Sequence, residues 1–85
     1  MIITADISYY PLNENFIPPI SDFIDRVQAY PEIEVRRNGV STQLFGEFED
    51  VMKVLKNEIG KSFEFPHSVF AVKIINADCR IHDRK

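Results

Sequence analysis

Three uncharged hydrogen-bonding side chains, Ser41, Thr42 and Gln43, follow the turn pair Asn38-Gly39. Hydroxyls and amides donate and accept hydrogen bonds without carrying a charge. Such groups can read the edge of a neutral or cationic heteroaromatic ring, while an aromatic side chain stacks on its face and a carboxylate offsets a positive charge. Serine and threonine beside a turn also commonly bond the local backbone. The stretch therefore either closes a loop or binds a small molecule.

Signals for catalysis or metal binding are weaker. His67 and His82 are far from any carboxylate cluster with ligand spacing, so we expect no metal site. Cys79, the single cysteine, has no histidine in a recognisable activating motif, and we expect an unreactive thiol. The sequence has no phosphate-binding glycine loop and no nucleophile elbow. Asp6 and Glu47 could meet across two strands as an acid/base pair, but we expect no enzyme activity and no cofactor.

Length and charge exclude several classes of protein. The 85 residues fit one small domain, and a domain of this size is marginally stable alone. A net charge of −3 argues against nonspecific binding to nucleic acids or anionic membranes. No apolar run approaches the ~20 residues that span a bilayer, and the first residues do not resemble a signal peptide. With a single cysteine, we expect a cytoplasmic protein.

The spacing of apolar residues predicts six elements. Alternation indicates strands, and recurrence every three or four residues indicates helices. They follow in the order strand 2–10, helix 18–30, strand 33–37, strand 40–48, helix 49–62 and strand 68–76. Asn38-Gly39 predicts a tight hairpin between the second and third strands, because both residues tolerate a positive φ. The order predicts an α+β fold, the ferredoxin-like βαββαβ sandwich, with a four-stranded antiparallel sheet and both helices on one face.

The predicted fold makes the first and third strands central neighbours. The sheet face turned away from the helices then carries Asp6, Ser8, Tyr10, Ser41, Gln43, Phe45 and Glu47. Exposure of Phe45 and Tyr10 together would indicate a binding surface. Alternatively, these residues form ordinary cross-strand pairs on a solvent-exposed face without a binding role. RNA-binding modules of this fold stack bases on a basic, aromatic strand. The third strand is acidic and has no arginine or lysine, which disfavours RNA.

Three segments resemble the YkoF-like family of thiamine- and hydroxymethylpyrimidine-binding domains. They are ITADISYYPL at 3–12, RNGVSTQLFGEFEDVM at 37–52 and VFAVKIINAD at 69–78, and N-G-x-S-T-Q-x-F-G-E is the most specific stretch. The resemblance implies a ferredoxin-like domain that binds the pyrimidine part of thiamine without catalysis. It also implies that a single-domain chain associates as a dimer or tetramer. The matching site positions are Asn38, Ser41, Thr42 and Gln43 in the second segment, and Asp6, Ser8 and Tyr9 or Tyr10 in the first.

We therefore predict a non-catalytic protein that binds thiamine or its hydroxymethylpyrimidine moiety. An oligomeric regulatory module for another small ligand is the alternative, and a small enzyme using Asp6 or Glu47 is a third. Thr42 alternates onto the helix face, but a residue at a strand end can still reach a site there. The predicted ligand set is Asp6, Ser8, Tyr10, Asn38, Ser41, Thr42, Gln43, Phe45 and Glu47. The domain is predicted to span 1–78, followed by a polar tail at 79–85.

The last predicted strand indicates self-association. It lies at a sheet edge next to the first strand, and Lys73 is its only charged residue. An open apolar edge pairs readily with another chain. We predict a homodimer or tetramer joined through sheet faces or this strand, and residues 77–81 could extend the strand and exchange between subunits. Alternatively, Lys73 and the polar tail shield the edge.

Overall fold

A computed structural model describes residues 1–12, 14–15, 17–65 and 67–82. Within these ranges, no helix is long and apolar enough to cross a membrane. The elements are β1 (Ile2–Pro11), α1 (Ile17–Gln28), β2 (Glu34–Arg37), β3 (Thr42–Glu47), α2 (Phe48–Ser62), β4 (Ser68–Ile75) and a short 3-10 helix (Cys79–His82). The βαββαβ order predicted from the sequence is confirmed. Residues 83–85 of the predicted tail and the side chain of His82 lie outside the described part.

The four strands form one antiparallel sheet in the order β2-β3-β1-β4. β1 pairs with β3 from Ile2, opposite Glu47, to Ile7, opposite Thr42. It pairs with β4 as far as Pro11, opposite Ser68. β1 therefore extends beyond β3, and residues 8–11 pair with β4 alone. The two central strands and the edge position of β4 agree with the prediction.

The core lies between the sheet and the two helices. Alternate β1 residues are buried on the helix side, as is Leu44 of β3. The helices contribute apolar residues at helical spacing, as expected for elements that bury one face. The buried core comprises Ile3, Ala5, Ile7, Phe23, Ile24, Val27, Ile33, Leu44, Val51, Val54 and Leu55. Burial of these side chains fixes the position of β1 relative to α1.

A largely buried ion pair links α1 and α2. Arg26 Nε of α1 lies 3.0 Å from Glu58 Oε1 of α2, and both side chains are largely buried. Glu58 Oε2 accepts a 2.6 Å hydrogen bond from the Tyr30 hydroxyl. Arg26 also donates to Ser62 Oγ at 2.7 Å. A buried charge pair is costly unless further hydrogen bonds support it, and the bonds to Ser62 and Tyr30 offset part of that cost.

The hairpin between β2 and β3 differs from the prediction. β2 ends at Arg37 and β3 begins at Thr42, so the connection is the loop 38–41 rather than a two-residue turn. Neither Asn38 nor Gly39 has a positive φ. Asn38 Oδ1 instead accepts the N–H groups of Val40 at 2.7 Å and Ser41 at 3.0 Å. The side chain of Asn38 thus closes the loop, and a left-handed backbone is not needed.

The chain after β4 also departs from the prediction. β4 ends at Ile75, so the proposed extension through residues 77–81 was wrong. Thr4 Oγ1 donates to the carbonyl of Ala77 at 2.8 Å and accepts the N–H of Cys79 at 2.9 Å. These bonds draw the chain back over the open sheet face, where Arg80 packs over the Phe45 ring. Main-chain groups that would have continued the strand are satisfied by a threonine instead.

Candidate ligand-binding site

A cavity of about 130 Å³ opens where β3 stops pairing with β1. It lies between the last part of β1, the loop 38–41 and α1. An engineered cavity of about 150 Å³ in another protein holds benzene, so this volume suits one small aromatic ring. The lining residues are Ile7, Ser8, Tyr9, Ile20, Phe23, Ile24, Asn38, Gly39, Val40, Ser41 and Thr42. Polar groups from the loop thus face apolar groups from the core.

Thr42 supplies a hydroxyl to this cavity. The residue is only 7% exposed. Its Oγ1 makes no hydrogen bond to any other residue that the structure describes. Thr4, the other buried threonine of the central strands, uses its hydroxyl twice, as acceptor and as donor. Among the described residues, the fully buried polar side-chain atoms without a hydrogen-bond partner are Arg26 Nε and Glu58 Oε1, so solvent in the cavity still reaches Thr42 Oγ1. The Thr42 hydroxyl is therefore a polar group that a ligand in the cavity could bond in place of water.

A charged cluster adjoins the cavity on the open face of the sheet. Asp6 Oδ1 accepts the Ser41 hydroxyl at 2.7 Å and the Gln43 amide at 2.9 Å. The bond from Ser41, with help from Gln43 and Lys73, lowers the pKa of Asp6 despite its partial burial. Asp6 therefore remains ionised at neutral pH. Because Ser41 lines the cavity, this negative charge lies one hydrogen bond away and favours a cationic ligand.

Aromatic side chains form the apolar wall. The rings of Tyr9 and Phe23 meet edge to face with centroids 5.7 Å apart. Tyr9 also stacks on Phe70 at 4.2 Å, and its hydroxyl shares a 3.0 Å hydrogen bond with Ser68. Tyr9 is therefore held on both its face and its tip. Of the two tyrosines left open by the sequence, Tyr9 lines the cavity, whereas Tyr10 is exposed on the other face.

The expected pair of exposed aromatic rings on the open face is absent. Phe45 is only 5% exposed, because Arg36 and Arg80 cover its ring at 5.3 and 5.4 Å from the centroid. Phe45 pairs with Thr4, and Tyr10 lies ~20 Å farther along β1 at about 3.3 Å per residue. A shallow basin of about 440 Å³ remains beside Phe45, lined by Thr4, Arg36, Arg37, Asn38, Gln43, Phe45 and Cys79.

Glu47 is separated from Asp6. It lies opposite Ile2 in the sheet, and its carboxylate pairs with the amino group of Met1 at 2.9 Å. Ile2 and Asp6 are four residues apart along β1, which is about 13 Å at 3.3 Å per residue. The hypothetical acid/base pair of Asp6 and Glu47 is therefore not assembled. Among the described residues, no group of three histidine, cysteine, aspartate or glutamate side chains is placed to hold a metal ion.

The predicted ligand set is thus divided by the structure. The cavity brings together Ser8, Asn38, Ser41 and Thr42. Asp6 and Gln43 join it through Ser41, whereas Tyr10, Phe45 and Glu47 lie elsewhere. Sequence reasoning left Tyr9 open as an alternative to Tyr10, and it missed Ile20, Phe23 and Ile24 as lining residues. Their periodicity identified them as core, and only the unequal lengths of β1 and β3 leave them beside an opening.

Solved structures share this fold. A Streptococcus pneumoniae protein is 25% identical, with a TM-score of 0.83 over 92% of this chain and 89% of its own. A Thermotoga maritima protein, assigned provisionally to thiamine biosynthesis or salvage, is 20% identical, with a TM-score of 0.81 over 91% and 85%. A domain of unknown function, DUF77, from Bacillus cereus is 17% identical, with a TM-score of 0.76 over 92% and 78%. No protein-family model matches the sequence, and no curated protein matches it significantly. These likenesses establish the ferredoxin-like fold.

Proposed function

We propose that this chain is a non-catalytic binding protein for thiamine or its hydroxymethylpyrimidine moiety, and that the pyrimidine ring occupies the cavity at the end of β3. The observation that carries the proposal is the Thr42 hydroxyl, which lines the cavity and makes no side-chain hydrogen bond to any residue that the structure describes. Valine would fill the same position with the same apolar contacts but without a group that can bond a ligand.

The cavity suits the chemistry of a substituted aminopyrimidine. Such a ring has nitrogen acceptors, an exocyclic amine that donates, and two flat apolar faces. The Thr42 hydroxyl can donate to a nitrogen or accept from an amine, and Tyr9 and Phe23 offer apolar contacts. The ionised Asp6 favours the protonated ring or the nearby positive charge of a thiazolium. The resemblance to the YkoF-like family and the thiamine-related assignment of the Thermotoga neighbour support the same class of ligand.

Calorimetric titration tests the proposal. We expect saturable binding of hydroxymethylpyrimidine and of thiamine. Benzyl alcohol is the matched control, because it keeps a ring and a hydroxymethyl group but has no ring nitrogen or amine. No saturable binding of either pyrimidine at millimolar concentration would reject the proposal. Equal binding of benzyl alcohol would show an unselective apolar cavity.

We further propose that the protein is a homodimer or tetramer. The free edge of β4 carries exposed Val69, Ile74 and Ile75. Beside it, an apolar groove of about 400 Å³ runs between β4 and α2, lined in part by Met52 and Phe63. A second copy could continue the sheet at this edge and cover the groove in the same contact, which would remove both an open strand edge and an apolar patch from water.

A further inference from the structure

The main chain of β1 is unpaired along one edge of the cavity. Pairing with β3 ends at Ile7, whereas pairing with β4 continues to Pro11. Residues 8–11 therefore have no partner strand on the side that β3 would occupy. Ser8 and Tyr9 line the cavity on that side, together with the loop 38–41.

The alternation of a strand determines which groups this edge presents. Every second residue of a strand directs both its N–H and its C=O to the same side. One of the two residues Ser8 and Tyr9 must therefore present a donor and an acceptor, side by side, towards the cavity. The other residue turns the same groups towards β4.

Most main-chain N–H groups of the facing loop 38–41 already have partners within the loop. The N–H of Asn38 donates to the carbonyl of Ser41 at 3.1 Å. The N–H groups of Val40 and Ser41 both donate to Asn38 Oδ1. Three of the four main-chain N–H groups of the loop are thus used within the loop. Water in the cavity can satisfy these main-chain groups of β1 in the free protein, and a ligand that enters the cavity can replace that water and complete the pairing.

We propose that this main-chain edge of β1 recognises an amine adjacent to a ring nitrogen, with the carbonyl accepting from the amine and the N–H donating to the nitrogen. The ligand thereby takes the place of the missing strand. This inference rests on the proposed function and specifies which edge of the heteroaromatic ring enters the cavity. Selectivity for the amine then comes from the backbone of Ser8 or Tyr9, and the side chain of Ser8 is not required for it.

A pair of ligands tests the edge. The probes are 4-amino-2-methyl-5-hydroxymethylpyrimidine and its isostere with a methyl group in place of the amine. The methyl compound cannot donate to the main-chain carbonyl and leaves it unpaired, so we expect binding that is weaker by about tenfold or more. Equal affinity of the two compounds would overturn the inference.

A backbone substitution identifies the residue. The chain is short enough for assembly by chemical ligation, which allows the amide N–H of residue 8 or residue 9 to be replaced by an ester oxygen. One ester falls on the cavity side and should weaken binding of the aminopyrimidine several-fold. The other removes a bond to β4 and should lower thermal stability while leaving affinity unchanged. Unchanged affinity in both esters rejects main-chain recognition. Absence of binding to every compound instead rejects the proposed function, and this inference with it.

Discussion

Replacement of Thr42 by valine should stabilise the protein and weaken its ligand binding. The substitution exchanges the unpartnered hydroxyl for a methyl group at nearly constant volume. Solvent in the cavity reaches Thr42 Oγ1, since the fully buried atoms of the described residues without a hydrogen-bond partner are Arg26 Nε and Glu58 Oε1. Water therefore recovers most of the cost of about 1–3 kcal/mol for an unpaired buried hydroxyl, and we expect a gain of at most about 1 kcal/mol in the free energy of unfolding. For a domain of this size, a gain of about 1 kcal/mol raises Tm by about 4–8 °C.

The effect on binding has the opposite sign. A hydrogen bond between a neutral hydroxyl and a ligand contributes about 0.5–1.5 kcal/mol net. Its loss should raise the Kd for hydroxymethylpyrimidine about 2- to 10-fold. Stability and affinity that move in opposite directions are expected of a polar group kept for a ligand. Removal of a polar group that supports the fold should instead lower the stability of the protein.

Thr4 provides the matched control on the neighbouring central strand. Its hydroxyl bonds the carbonyl of Ala77 and the N–H of Cys79, so Thr4→Val leaves two main-chain groups without a partner. We expect a loss of about 1–3 kcal/mol in stability and no change in affinity. Urea unfolding followed by circular dichroism and calorimetric titration measure the two quantities. If Thr42→Val destabilises the protein as Thr4→Val does, or leaves the Kd unchanged, the assignment of the Thr42 hydroxyl to a ligand is wrong.

Two further predictions concern Asp6 and the edge of β4. The lowered pKa of Asp6, caused chiefly by the Ser41 bond, means that its carboxylate contributes stability above the usual aspartate pKa and loses it as pH falls through the folded pKa. Asp6→Asn should therefore be less stable than the natural chain at pH 6 but approach it at pH 3, and a constant difference in urea melts would exclude this linkage. Light scattering coupled to gel filtration should show a dimer or tetramer that Ile74→Lys dissociates, whereas the exposed Val40→Lys should not; a mass near 9.9 kDa for the natural chain would contradict self-association.

The fold was predictable because its signals are local. Alternation at Ile3, Ala5 and Ile7 and helical spacing at Phe23 and Val27 each identify one buried face, and the order of elements leaves few topologies. The boundaries of β3 were harder to predict: the sequence indicated 40–48, and the structure has Thr42–Glu47. The start moves because the Asn38 side chain takes the N–H groups of residues 40 and 41 away from the sheet.

The site was only partly predictable, because its composition depends on contacts between distant segments. Alternation correctly puts Phe45 on the face away from the helices. It cannot show that Arg80, distant in sequence, returns to bury the ring. The sequence also could not show that Glu47 lies far from Asp6, since the antiparallel register and not the residue type sets the distance between them. Thr42 and Ser41 were found because, with Gln43, they form a run of three uncharged hydrogen-bonding residues directly after the turn pair Asn38-Gly39.

The polar stretch after Asn38 both closes a loop and leaves a group for a ligand, and the structure divides these roles residue by residue. Asn38 satisfies the backbone of the loop, and Ser41 and Gln43 satisfy the carboxylate of Asp6. In this stretch, the Thr42 hydroxyl is left facing the cavity without a partner among the residues that the structure describes. The bonds of Asn38 also delay the start of β3, and the late start leaves the end of β1 unpaired. One local hydrogen-bonding pattern therefore creates the cavity, its unpaired backbone edge and its free hydroxyl together.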